Sequence, residues 1–159
     1  MLSDTHCHLD FPEFDLDREE VISRAKDAGV GFIVNIGSSL VSSKASVSLA
    51  SSHDIIWAAV GIHPHDADMF NQEAQRAIED LIKKDKVVAV GEIGLDYYRN
   101  LSDKKNQKDM FVTLLSLAQN SGLPVIIHNR QASEDIFDIM EKAQSIKEFV
   151  ENMKDLVNE

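Results

Sequence analysis

His6 and His8 stand two positions apart in the opening segment Ser3-Asp4-Thr5-His6-Cys7-His8. Side chains two apart on an extended strand share a face, so the two imidazoles are expected to point the same way. Three further segments carry related chemistry: Gly61-Ile62-His63-Pro64-His65-Asp66, Gly91-Glu92-Ile93-Gly94-Leu95-Asp96 and His128-Asn129-Arg130. The two imidazoles, joined by Glu92 and His128, make a ligand set for a divalent cation. Nitrogen with carboxylate suits zinc, manganese and similar ions, whereas magnesium prefers oxygen. A carboxylate such as Glu92 can also bridge two ions about 3.5–4 Å apart, and such a pair clamps the attacking and leaving oxygens of a phosphoester.

Taken singly, each residue has a plainer explanation. An isolated His-x-His pair is weak evidence of a metal site. Asp4 can serve as a turn or capping residue, and His63 and His65 flank Pro64 as turn residues would. His128 alone is compatible with a hydrogen-bonded core histidine. Glu92 is harder to dismiss, because a carboxylate ending an apolar strand needs a partner. His53 falls near a helix C-terminus, where positive charge is favourable, and reads as structural. Cys7, facing away from the two histidines, reads as a packing residue and Trp57 as core. Arg99 and Arg130 are either solvated or placed to hold a phosphate.

The joint placement of these residues depends on the elements that carry them. Apolar stretches at Met1–His6, Gly31–Ile36, Ile55–Val60, Lys86–Val90 and Pro124–Ile127 read as strands. Helical periodicity covers Leu16–Ala28, Val41–Ser51, Asn71–Lys84, Lys104–Ser121 and Ala132–Ala143, with Gly29 and Gly122 as stops. In the first helix Leu16, Val21, Ile22, Ala25 and Ala28 are expected on the buried side. A last amphipathic segment, Gln144–Glu159, is helical by period and forms a divergent tail to a βα domain over residues 1–143. Near-continuous apolar strands imply a parallel sheet covered on both faces. Five βα units in alternation imply either an incomplete TIM-type barrel or an open parallel three-layer sheet, and period alone does not choose between them. In either case the strand C-termini share one face, and that face collects the histidines and Glu92.

The chain has 159 residues, a length for one domain with a substantial core. Lys and Arg number 16 against 27 Asp and Glu, a formal net charge of −11. Such a surface repels polyanions at long range, which argues against a broad basic nucleic-acid-binding face. A local pocket that meets phosphate through divalent cations remains compatible with it. No apolar run approaches the roughly 18 residues of a membrane span. The N-terminus lacks a secretory pattern and the single cysteine cannot form an internal disulfide, so a cytoplasmic protein without membrane partners is expected.

The segments SDTHCHLD, GIHPH, GEIGLDYYR and LPVIIHNR resemble, in order and spacing, the TatD-type metal-dependent deoxyribonucleases of the amidohydrolase superfamily. The resemblance covers Leu2 to about Lys142. It implies a (β/α)8 barrel with one or two divalent ions (Mg, Mn or Zn) at the strand C-termini, acting on phosphodiester bonds in DNA or on a small phosphoester. By position it implies that His6 and His8 hold one metal, that Glu92 bridges, and that His128 holds the second. His63, His65, Asp96, Tyr97, Arg99 and Arg130 are implied in the substrate pocket, with Asp96 the acidic candidate for catalysis beside Glu92. Asn129 stands where the resemblance leads one to expect serine.

A full barrel takes about 250 residues. The resemblance also places a further metal histidine in an HCFSG-like segment and a late aspartate in an ETD-like segment, and neither occurs here. Five strands leave open edges, for which the last helix or a second copy of the chain are expected covers. Two alternatives to a nuclease therefore stand: a catalytically impaired family member serving as a binding or assembly module, and another amidohydrolase-type hydrolase such as a lactonase or deaminase.

Overall fold

A computed structural model describes residues 1–144. Apart from Gln144, the expected tail helix lies outside the described residues. Five strands, β1 (Leu2–Cys7), β2 (Val30–Ile36), β3 (Ile56–Val60), β4 (Val87–Asp96) and β5 (Val125–Arg130), alternate with helices α1 (Arg18–Asp27), α2 (Leu40–Ser52), α3 (Gln72–Ile82) and α4 (Lys104–Ser121). A fifth helix, α5, covers 133–144. Short 3-10 turns occupy Pro12–Phe14 and Pro64–Met69.

Local chemistry sets the helix ends. The Ser39 side chain accepts a hydrogen bond from the Ser42 amide, Asn71 accepts from Glu73 and Ala74, and Asp103 from Lys105, each satisfying N-terminal amides that have no intrahelical partner. Gly122 ends α4 in the left-handed region at φ 70°, with its amide bonded to the Ala118 and Gln119 carbonyls.

All neighbouring strands pair in parallel, in the order β1-β2-β3-β4-β5. That order decides between the two expected architectures. A doubly wound sheet reverses direction at a switch point. Here each strand is added on the same side of the last, so right-handed crossovers put every helix on one face. The sheet curls into a half-barrel with helices outside. The main core lies between sheet and helices, where Ile22, Ala50, Ile78, Met110, Phe111 and Leu114 meet Ile56, Val60, Val90 and Ile93. The opposite face carries a smaller cluster of Val34, Ile36, Ala59 and Ala89, edged by Phe32, Val88 and Ile126.

Several expectations need correction. Leu16 is not part of α1 and is fully exposed, because the helix starts two residues later at Arg18. Trp57 is only half-buried. It shares the inner face with Ala59, lies 5.9 Å from the Phe32 ring at a tilt of 30° and sits beneath the Lys86 ammonium at 5.5 Å. The sheet has no strands beyond β5 among the described residues to cover that face. β4 runs to Asp96, well past Val90, and β5 runs to Arg130, so Glu92, Asp96 and His128 lie within strands.

Candidate metal centre

The carboxyl ends of β1, β4 and β5 and the turn after β3 converge. His6 is the penultimate residue of β1 and His8 follows its end. His8 Nδ1 lies 2.9 Å from the Ile36 carbonyl. A carbonyl only accepts, so Nδ1 carries the proton and Nε2 is left with its lone pair. The His8 ring stacks on Phe11 at 4.6 Å and meets His6 edge-on at 5.2 Å.

Beneath this segment lies a polar network. The Leu9 amide donates to Asn35 Oδ1 at 2.6 Å, Asn35 Nδ2 donates to Asp10 Oδ1 at 2.8 Å and to Ser46 Oγ at 2.7 Å, and Ser42 Oγ donates to Asp10 Oδ2 at 2.5 Å. Asn35 and Ser46 are wholly buried. The network ties the loop bearing His8 to β2 and α2. Cys7 turns away from the histidines toward Asn35 and the Val34 carbonyl. Burial, with Asp4 beside it, pushes its thiol up to about 12, which is consistent with a packing role.

Glu92 stands at the middle of the site, its side chain 13 % exposed. Its Oε2 lies 3.7 Å from His6 Nε2 and its Oε1 lies 3.0 Å from His128 Nδ1. The same His128 nitrogen lies 3.0 Å from His63 Nε2. His63 Nδ1 accepts from the His65 amide, so the neutral ring carries its proton on Nε2 and points it at His128 Nδ1, which leaves Glu92 and His128 as the donors a cation can share in place of their proton. Among the described residues, two sets of side chains bring possible donor atoms within 4.8 Å of one another: His6, His8 and Glu92, and His63, Glu92 and His128. Glu92 belongs to both and turns one oxygen toward each, so the donor chemistry fits divalent cations.

The electrostatics follow from this crowding. Burial would raise the Glu92 carboxyl, but the His128 hydrogen bond and the imidazoles of His63, His128 and His6 outweigh it and hold it below its ordinary value. The hydrogen bond to Glu92 raises His128. Burial first, then the neighbouring His128 and His65, depress His63 to about 4, so it is neutral near pH 7. His63 also caps the turn at Pro64, with Nδ1 accepting from the His65 amide.

Asp96, with no exposed surface, is fully engaged. Oδ1 accepts from the Tyr98 and Arg99 amides at 3.0 and 2.8 Å, while Oδ2 lies 2.7 Å from His65 Nε2 and 3.3 Å from His128 Nε2. Burial alone would raise its carboxyl, yet the Arg99 amide and the two histidines hold it at about 2. Gln107 fixes the strand end below it, accepting from the Asp96 amide at 2.9 Å and donating to the Ser102 carbonyl at 2.8 Å.

An open cleft of about 290 Å³ lies over the centre, lined by His8, Phe11, Ser38, His63, His65, Asp66 and Glu92. The structure thus brings together His6, His8, Glu92, His128, His63, His65 and Asp96. Tyr97, Arg99 and Arg130 do not line this cleft. The Tyr97 hydroxyl donates to Asp135 at 2.5 Å, the Lys104 ammonium sits over its ring at 4.3 Å, and Arg130 stacks on Tyr98 at 4.0 Å. Arg99 is exposed. Sequence reasoning missed Asn35, Asp10, Ser42 and Gln107. The available signals were an asparagine inside the apolar run Gly31–Ile36 and a glutamine four residues before Phe111 on the buried face of α4. His53 is structural as expected, with Nδ1 3.1 Å from the Leu49 carbonyl and Nε2 3.0 Å from Glu19.

Successive parallel βα units with polar chemistry gathered at the strand carboxyl ends are the build of the βα-barrel proteins. The chain belongs to the TatD-related DNase family, whose sequence pattern, described as "TatD related DNase", matches residues 3–151. It is 42% identical over 142 residues to the "Uncharacterized metal-dependent hydrolase YabD" of Bacillus subtilis (strain 168), covering 89% of this chain and 56% of that one. It is 35% identical over 138 residues to the "3'-5' ssDNA/RNA exonuclease TatD" of Escherichia coli (strain K12), covering 87% and 53%. The solved structure of YJJV, a TatD homolog from E. coli K12, superposes with a TM-score of 0.81 at 32% identity, over 89% of this chain and 56% of that one. The chain therefore spans about half the length of these relatives.

Proposed function

We propose that this chain is a divalent-metal-dependent hydrolase of phosphodiester bonds, acting on single-stranded DNA or RNA from the 3' end. The observation that carries the reading is Glu92 with one oxygen toward His6 and the other toward His128. His6, His8 and Glu92 would hold one ion, and Glu92 with His128 a second. Ions bound there supply Lewis-acid polarisation of the phosphoryl oxygen and an activated water.

The remaining residues prepare the site. The Ile36 carbonyl fixes the His8 tautomer, and Asp96 does the corresponding work for His128 from its far side, as carboxylate–histidine pairs do around metals. With its carboxyl at about 2 and both oxygens engaged, Asp96 is suited to orienting His65 and His128 and is a poor proton acceptor. His63, neutral and in the cleft wall, is placed to contact a non-bridging phosphate oxygen without adding charge. Among the described residues no arginine or lysine lines the cleft, which leaves compensation of the phosphate charge to the cations. Cys7, with its unreactive thiol, suits a reducing compartment, and we read the protein as cytoplasmic.

The test is release of nucleotides from a single-stranded oligonucleotide by the purified chain with manganese or magnesium. Activity is expected in the unmutated chain and a loss of at least about a hundredfold in Glu92→Ala, the scale on which one preorganised charge-stabilising group acts. Equal activity in both would overturn the reading. A second reading, binding without turnover, is favoured by Asp96, the acidic group nearest the centre after Glu92, whose carboxyl is held at about 2 with both oxygens engaged, so that it is a poor base. It predicts cation binding that depends on Glu92 with no nucleotide release.

A further inference from the structure

Beside the metal cleft, and separated from it by Asp66, lies a second and larger cavity of about 430 Å³, within the range of small-molecule sites. Asp66 lines both spaces, and Ser38 in the cleft is followed directly by Ser39 in the cavity. The wall is largely apolar: Leu40 and Val41 from the first turn of α2, Ile62 from the segment just after β3, Met69 and Phe70 from the end of the 3-10 turn, and Ala74 from the first turn of α3. Val41 and Met69 are each 79% exposed, an unpartnered apolar pair at the mouth. The charged groups lining it are carboxylates, Asp66 and Glu73, with no lysine or arginine.

This composition selects the occupant. Two carboxylates repel a phosphate or any other anion, so the cavity does not continue the phosphate path. Apolar surface with an aromatic ring and a polarizable methionine suits a heteroaromatic ring, and every nucleobase offers a face for such stacking. The Asp66 carboxylate can accept from the ring or amino N–H groups on a base edge. We propose that the cavity seats the nucleobase adjoining the phosphodiester held in the metal cleft, so that the chain grips its substrate by one base as well as by one phosphate. This rests on the nuclease reading above and adds to it a subsite for the base.

The test compares binding of two single-stranded oligonucleotides in the presence of manganese, each with a hydrolysis-resistant phosphorothioate at its last linkage, one ending in a normal 3' nucleotide and the other in an abasic one. Stacking of one base corresponds to a preference of about fivefold or more. The unmutated chain is expected to prefer the normal end by that margin, and the ratio is expected to fall toward one in Val41→Asp and Met69→Asp. Both positions are solvent-exposed, so these changes spare the core, and a cooperative melt verifies the fold of each variant. A ratio near one in the unmutated chain, or a ratio unchanged in both variants, overturns the base subsite while leaving the metal reading standing. Failure of both oligonucleotides to bind in a manganese-dependent way overturns the metal reading and the subsite with it.

Discussion

At the scale of single residues, the site is organised by Glu92 and by the groups that keep its imidazole neighbours in place. A cation at this centre competes with the proton shared by Glu92 and His128, so metal affinity is expected to rise with pH across the neutral range. A second titration lies away from the centre, where Tyr97 donates to Asp135 and the Lys108 ammonium lies 2.8 Å from the same carboxylate. The hydrogen bonds from Lys108 and Tyr97 lower the Asp135 carboxyl. Its contribution to stability is present above the ordinary value of 3.8 and is lost as pH falls through the depressed folded value. Burial and then Asp135 raise the Tyr97 phenol, so its contribution is present below 10 and is lost as pH rises beyond that. Asp135→Asn should flatten the acid side of a urea-midpoint profile against pH, and an unchanged acid limb would refute this account of Asp135.

Much of this residue-level picture was legible in the sequence, because histidine and glutamate at the ends of apolar strands are rare enough to stand out. Their orienting partners were not. Ile36 acts through its backbone carbonyl, which leaves no trace in residue type. Asn35 and Gln107 become visible only once the faces they point to are known. Tyr97, Arg99 and Arg130 share one short stretch or neighbouring strand ends with site residues, but their side chains leave by other directions.

At the scale of elements, the strands must bring the donors into register, and close approach of β4 to β5 does much of this. Gly94 pairs with His128 and adopts φ 141°, and a Cβ there would run into the His128 carbonyl oxygen. Gly94→Ala is therefore expected to cost about 1–3 kcal/mol and to weaken metal binding by moving His128. A chemical-denaturation curve with a parallel metal titration checks both, and a variant as stable and as tightly metal-binding as the parent would contradict it. Asn35→Leu keeps approximate size but leaves the Leu9 amide without its acceptor. About 1–3 kcal/mol of destabilisation is expected from that buried donor, again measurable as a shift in denaturation midpoint.

Strand and helix order could be read from periodicity, and Gly122 marks the end of α4. The ends of β4 and β5 could not. Gly91, Glu92 and Gly94 interrupt the apolar run, and only pairing between the two strands carries extended structure on to Asp96 and Arg130. Leu16 was misplaced for a related reason: helical spacing included it, but α1 begins beyond it.

At the scale of the molecule, sheet order distinguishes a curled half-barrel from an open doubly wound sheet, and order is a property that periodicity does not contain. The described residues leave β1 and β5 as edges, with β1 exposed along nearly its whole length. Unpaired edge groups invite pairing with another chain. Sedimentation velocity on this chain is accordingly expected to show association that grows with concentration, and a monomer at every concentration would mean that the edges are covered by other means. The acidic surface opposes both self-association and nucleic-acid binding at low salt. Added salt should therefore strengthen association.

The central claim is that this half-barrel assembles a cation centre around Glu92. The most direct test is the thermal melt of the unmutated chain and of Glu92→Ala, each with and without manganese. Saturation to about 100 times Kd adds roughly 2.7 kcal/mol, a rise of several degrees for a domain of this size. The account predicts a cooperative melt raised by manganese in the unmutated chain and left in place in Glu92→Ala. An equal rise in both would assign the binding to the acidic surface and contradict the claim.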